Sequence, residues 1–128
     1  MSLFRVQISI KDPTGTNPAS DPIDALVDTG SELTWLPKAL LEHAGIKPIR
    51  SMNFKTATGE LVRRNVGYAI VRCQEFETID QVVFGLGGDH NLLGVRTLEG
   101  FSVMVDNLGK RLVATTSLVA STPESSNL

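Results

Sequence analysis

The chain has 128 residues, 41% of them hydrophobic and 20% charged, with a formal net charge of -2 and one cysteine, Cys73. That suits one compact domain with an ordinary core, excludes an intrachain disulfide, and offers no basic block for a nucleic-acid footprint. No stretch is long and apolar enough to span a bilayer, and Met1-Ser2-Leu3-Phe4-Arg5 lacks the pattern of a secretory leader. The expectation is therefore no nucleic-acid and no membrane partner, and a cytoplasmic address, which a lone cysteine permits.

Leu3 to Ile10 alternates, with Phe4, Val6, Ile8 and Ile10 on one side, which predicts a half-buried strand. Lys11 to Pro22 is rich in Pro, Gly, Asp, Asn and Ser and reads as a loop. Ile23 to Val27 is a second strand that ends abruptly at Asp28-Thr29-Gly30, and Leu33 to Leu36 is another short apolar run. Pro37 suits the first turn of a helix, Lys38 to Ala44 is that helix, and Gly45 stops it. Met52 to Ala57 and Leu61 to Cys73 flank Thr58-Gly59-Glu60 as a hairpin. Phe76 to Phe84 is a further strand, Gly85 to Asn91 a glycine-rich loop, and Leu92-Leu93-Gly94 a short apolar strand. Val95 to Glu99 is long enough for one or two helical turns. Phe101 to Asp106 and Lys110 to Ala114 form a last hairpin. After Ser117 the composition turns to Ser, Thr, Pro, Glu and Asn, so residues 1–117 are read as one domain and 118–128 as a loose tail. The class is mainly β, with one clear helix.

The chemistry centres on Ala25-Leu26-Val27-Asp28-Thr29-Gly30-Ser31. A carboxylate placed directly after an apolar strand is partly desolvated, which disfavours its charge unless hydrogen bonds compensate. Gly30 permits a tight turn whose N–H points back at that carboxylate, and Thr29 and Ser31 bring hydroxyls within reach. Alone, the tripeptide is equally an Asp-Gly-type turn between two strands. Two features add to it. Leu26-Val27 feeds the turn from a buried strand, and Leu92-Leu93-Gly94 lies far downstream, ahead of a short helical segment.

This arrangement resembles the retroviral-type, retropepsin-like aspartic peptidases over Ile23 to Val113. The likeness is greatest to their small bacterial and archaeal members, which carry segments like Leu93-Gly94-Val95 and Leu98-Glu99-Gly100. The resemblance implies a small, closed β-barrel-like fold and an aspartic endopeptidase, active as a two-fold homodimer on a peptide or protein substrate, with no cofactor and no metal. Asp28, Thr29 and Gly30 would be the catalytic residues, with Thr29 bonding across the dimer. Ser31, Glu32, Ala57, Thr58, Gly59 and Leu92 would bind substrate. The hairpin Lys55 to Val62 would be a flap, and Gly87 to Asn91 would border the cleft. With one Asp-Thr-Gly per chain, the dyad would need a second copy. The alternative is a dimerisation or peptide-binding module without catalysis on the same fold.

Three positions depart from the retroviral pattern. Ser31 stands where Ala is usual, and a hydroxyl donated to Asp28 is expected to favour its ionised form, so that Ser31→Ala moves the acid limb of the pH–rate profile upward. Glu32 replaces a usual Asp and Val95 a usual Arg, leaving Arg96, whose side chain is expected to point elsewhere. His43 reads as a surface residue at a helix end, His90 as a solvated loop residue beside the cleft, and Trp35 as core.

Overall fold

The computed structural model describes residues 3–115; the tail assigned to residues 118–128 lies outside them. The strands are β1 (Arg5–Lys11), β2 (Ile23–Val27), β3 (Thr34–Pro37), β4 (Arg50–Lys55), β5 (Leu61–Cys73), β6 (Phe76–Gly85), β7 (Leu92–Leu93), β8 (Val103–Asp106) and β9 (Arg111–Ala114). The helices are α1 (Lys38–His43) and α2 (Val95–Phe101). The chain is mainly β.

Seven strands hydrogen-bond in the order β1-β2-β7-β3-β6-β5-β4, and β1 also pairs with β5. The path from β1 through β5 therefore returns to β1, leaving β4 as an appended edge. β8 and β9 form a separate two-stranded sheet, with Val103 opposite Ala114 and Asp106 opposite Arg111.

Alternation decides which faces are dry. In β1, Val6, Ile8 and Ile10 are buried while Arg5 and Gln7 are exposed. They meet Ala25 and Val27 of β2, Leu36 of β3, Leu41 of α1, Val71 of β5 and Leu93 of β7 in one core. Each fully buried branched side chain contributes roughly 1.5–3 kcal/mol over its exposed counterpart. A smaller cluster of Leu33, Val66 and Val83 lies apart, and Trp35, Met52 and Phe54 pack on it half-buried.

The helix ends have local causes. Pro37 is extended (ψ 136°) and closes β3, so it precedes α1 where the sequence placed it in the first turn. Gly45 adopts φ +87°, which ends α1. α2 runs to Phe101, where the sequence suggested a strand beginning. Thr97, Leu98 and Phe101 share one buried helical face, and Phe101 stacks on Phe76 at 6.0 Å. Ser102, left-handed at φ 58°, then turns the chain into β8.

This core predicts a sharp contrast between two leucines. Leu36→Ala, at 1% exposure, should cost about 2–5 kcal/mol in urea unfolding, whereas Leu61→Ala, at 70% exposure, should cost under about 0.5 kcal/mol. Equal losses would contradict the burial pattern.

Candidate active site

Val27, at the end of β2, is buried, and Asp28 emerges half-buried from it. β7 pairs in parallel with β2, Leu26 opposite Leu92 and Val27 opposite Leu93. The Asp28 N–H donates to Leu93 O at 3.0 Å, continuing that ladder past the end of the strand. The Ser31 N–H donates to Asp28 O at 3.1 Å and closes the turn. Within it the Gly30 N–H donates to Asp28 Oδ1 at 2.9 Å, the compensation a carboxylate at that depth requires. Thr29 is exposed, and no hydrogen bond of its side chain to another described residue is formed.

The Ser31 hydroxyl does not serve Asp28. It donates to Leu33 O at 2.7 Å, so the expected shift of the acid limb in Ser31→Ala loses its basis. A second set of bonds fastens the turn to the start of α2. The Val95 N–H donates to Ser31 O at 2.8 Å and the Arg96 N–H to Glu32 O at 3.1 Å. Gly94 lies so close beneath that a Cβ there would meet Leu33 O at 2.4 Å. Arg96 turns back toward the turn, contrary to expectation. Its Nη1 is 3.9 Å from Glu32 Oε2 and its Nε 4.0 Å from Asp80 Oδ1. At these separations, with Glu32 well exposed, the ion pair with Glu32 adds little stability.

Asp28 opens into a cavity of about 850 Å³. Of the residues expected at the site, Asp28, Gly30, Ser31, Glu32, Ala57, Thr58 and Leu92 line it, while Thr29 and Gly59 do not. Gly59 is at the far side of the β4–β5 turn, at φ +88°, with its N–H donating to Thr56 O at 2.9 Å. Thr56, Ala57 and Thr58 cover the cavity from that hairpin, and Gly88, Asp89 and His90 edge it from the loop after β6. His90 is exposed there, and His43 ends α1. Among the described residues no cluster of His, Cys, Asp and Glu is placed to hold a metal ion. The Cys73 thiol is pushed up to about 11, chiefly by burial.

Sequence reasoning missed the cavity's apolar wall. Trp35 is half-buried and turned into the cavity, meeting Phe54 edge-on at 5.0 Å between ring centroids. Met52 and Phe54 share one face of β4, and that alternation was a usable signal. Trp35 gave none, because β3 is too short to show which of its faces is wet.

One ion pair joins β5 to Asp89, a residue that lines the cavity. Arg64 of β5 donates through Nε to Asp89 Oδ2 at 2.7 Å and through Nη2 to Asp89 Oδ1 at 3.2 Å. Asp89 also accepts the Leu86 N–H at 2.8 Å. The Arg64 hydrogen bond, opposed by burial and aided by the Leu86 N–H, holds the Asp89 carboxyl below its ordinary value. The β4–β5 hairpin is thereby tied to the loop after β6.

The family described as "gag-polyprotein putative aspartyl protease" matches residues 18–100. Among solved structures, the solution structure of Simian Foamy Virus (mac) protease is 26% identical, with a TM-score of 0.52 over 75% of this chain and 92% of that one. The foamy viral protease-reverse transcriptase dRH in complex with ds DNA is 18% identical, with a TM-score of 0.50 over 73% of this chain and 15% of that one, a likeness of fold alone. No curated protein matches.

The Arg64–Asp89 pair sets a pH dependence. A carboxyl lowered in the folded state stabilises above its unfolded pKa, and that contribution is lost as pH falls through the folded value. Asp89→Asn should therefore lower stability by about 1–2 kcal/mol at neutral pH. The gap to wild type should close as pH drops below about 4. Urea unfolding across that range measures it, and a gap independent of pH would refute the pairing.

Proposed function

The chain belongs to the gag-polyprotein aspartyl protease family and is an aspartic endopeptidase; from that premise we propose that two Asp28 carboxylates, one from each subunit of a two-fold homodimer, form its catalytic dyad. The observation that carries this reading is Asp28 itself. It is held at the cavity floor by the Gly30 N–H, and the chain contains a single Asp-Thr-Gly. One subunit offers one such carboxylate, and peptide hydrolysis needs both a base and an acid. Exposed Thr29, bonded to nothing in its own described chain, is free to bond its symmetry mate.

Two close carboxylates cannot both ionise, so the pair shares one proton. The ionised Asp28 takes a proton from water as the water oxygen attacks the scissile carbonyl carbon. The protonated Asp28 gives its proton to the carbonyl oxygen, forming a neutral geminal diol. The first Asp28, now protonated, passes that proton to the amide nitrogen, the C–N bond breaks, and the second takes back a proton from a diol hydroxyl as the new carboxyl group forms. The dyad ends as it began.

The remaining roles fit around this centre. The hairpin Lys55 to Val62 acts as the flap, with its tip near Thr58-Gly59, and Glu32, Ala57 and Leu92 border the bound peptide. Trp35, Met52 and Phe54 favour apolar side chains beside the cut bond. The six-strand ring β1-β2-β7-β3-β6-β5 is the closed barrel of the fold. Kinship with the small bacterial and archaeal members rests on Leu93-Gly94-Val95 and Leu98-Glu99-Gly100.

Asp28→Asn should abolish cleavage of a peptide mixture between about pH 4 and pH 7 while folding normally. Added in excess to wild type, folded Asp28→Asn subunits should suppress wild-type cleavage by trapping it in mixed dimers. Wild-type activity unaffected by any excess, under conditions where subunits exchange, would rule out the shared dyad.

A further inference from the structure

Beneath the turn lies a chain of polar groups that the reaction as derived does not use. Thr34 of β3 and Thr97 of α2 are both fully buried, and their hydroxyl oxygens are 2.6 Å apart. The Gly94 N–H donates to Thr34 Oγ1 at 3.0 Å, and Thr97 Oγ1 donates to Asp80 Oδ2 at 3.1 Å. Each hydroxyl has one proton. The Thr97 proton goes to Asp80, so the Thr97 oxygen accepts from Thr34, and the Thr34 oxygen accepts from Gly94. With the Asp80 carboxylate accepting, the order is Gly94 → Thr34 → Thr97 → Asp80.

Asp80 of β6 anchors this order. It is buried, its Oδ1 accepts the Gln81 N–H at 2.7 Å, and Arg96 Nε lies 4.0 Å from the same oxygen. The other end of the chain is the amide of Gly94. The neighbouring Leu93 carbonyl accepts the Asp28 N–H, and the neighbouring Val95 N–H donates to Ser31 O. The chain thus fixes the peptide whose flanking groups grip the turn on both sides of Asp28.

Stability alone does not call for such a chain. Buried hydroxyls are desolvated at a cost, and replacing both partners of a buried hydrogen bond by apolar groups of like shape is close to neutral. What a fully satisfied buried network adds is one fixed arrangement. We propose that Asp80, Thr97 and Thr34 are positioning residues that hold Asp28 in register for catalysis. The proposal rests on the reading of Asp28 as the catalytic carboxylate.

The test compares Thr97→Val, Thr34→Val, their double variant and Thr97→Ser with wild type. Val71→Ala, in the core but outside the chain of bonds, serves as a destabilised control. kcat and KM are measured per folded protein, at concentrations where activity per subunit no longer rises. Misplacement of a reacting group by an ångström costs up to about a hundredfold, so a partial slip should lower kcat about tenfold in Thr97→Val, with KM within about twofold. Thr97→Ser, which keeps the proton order, should restore kcat. The double variant should lose no more than about twofold beyond the worse single, because both cut the same bond. Val71→Ala should lose stability but not kcat. A Thr97→Val kcat within about twofold of wild type, a like loss in Val71→Ala, or single losses that multiply in the double variant would each overturn the proposal. Asp28→Asn is run alongside. Cleavage persisting there would strike the catalytic assignment itself, whereas its loss together with an unimpaired Thr97→Val would strike only the positioning role.

Discussion

The two residues of β7 are wedged between β2 and β3. Leu92 pairs with Leu26 on one side and Trp35 on the other, while Leu93 pairs with Val27. A strand this short has few hydrogen bonds to hold it, so its place is set by what surrounds it. Leu93 is fully buried in the main core, and directly after it the backbone passes within a Cβ radius of Leu33 O. Only glycine fits at 94, and that fit brings the start of α2 up against the Asp28 turn. Among the described residues, the backbone bonds that reach the turn from outside involve Leu93, Val95 and Arg96. A side chain at position 94 would part the two segments before it touched any reacting group.

Much of this frame was legible in the sequence because it depends on patterns within one segment. β2 begins and ends at the residues its apolar run predicts, and the Gly30 N–H meets Asp28 as a tight turn requires. β5 also matches its predicted span. The failures come where two acceptable outcomes lie equally near in sequence. The Ser31 hydroxyl had Asp28 and Leu33 O within reach and bonds the latter. Phe101 had strand-like neighbours after it and a helical face before it, and the buried face prevailed. Arg96 had no local reason to turn back, since Asp80 lies on another strand. The Thr34–Thr97 contact, across 63 positions, left no trace in any window of sequence.

Charge is distributed around the cavity in a consistent way. Asp89, which lines the cavity, is paired with Arg64, and Arg96 stands between Glu32 and Asp80. Among the described residues, no cation lies within ion-pair distance of Asp28; its support is the Gly30 N–H. In the proposed dyad, a nearby guanidinium would favour the ionised carboxylate and work against a shared proton. A neutral amide donor orients the carboxylate without fixing its charge so strongly, which suits the alternation between acid and base in the proposed mechanism.

The turn is heavily fastened from below and bare above, as the proposed dyad would need. Bringing two carboxylates together is unfavourable unless a proton is shared, and in the proposed dimer sharing demands that neither turn can swing away to relieve the repulsion. A lone exposed turn, closed only by the Ser31 N–H, would have that escape. The bonds from Leu93, Val95 and Arg96, and beneath them the chain that ends on Asp80, remove it. The upper surface is left with Asp28 half-buried and Thr29 exposed, an edge that a second copy would meet in the proposed dimer. In the proposed dimer, rigidity within each subunit therefore becomes the condition for acid–base chemistry between them.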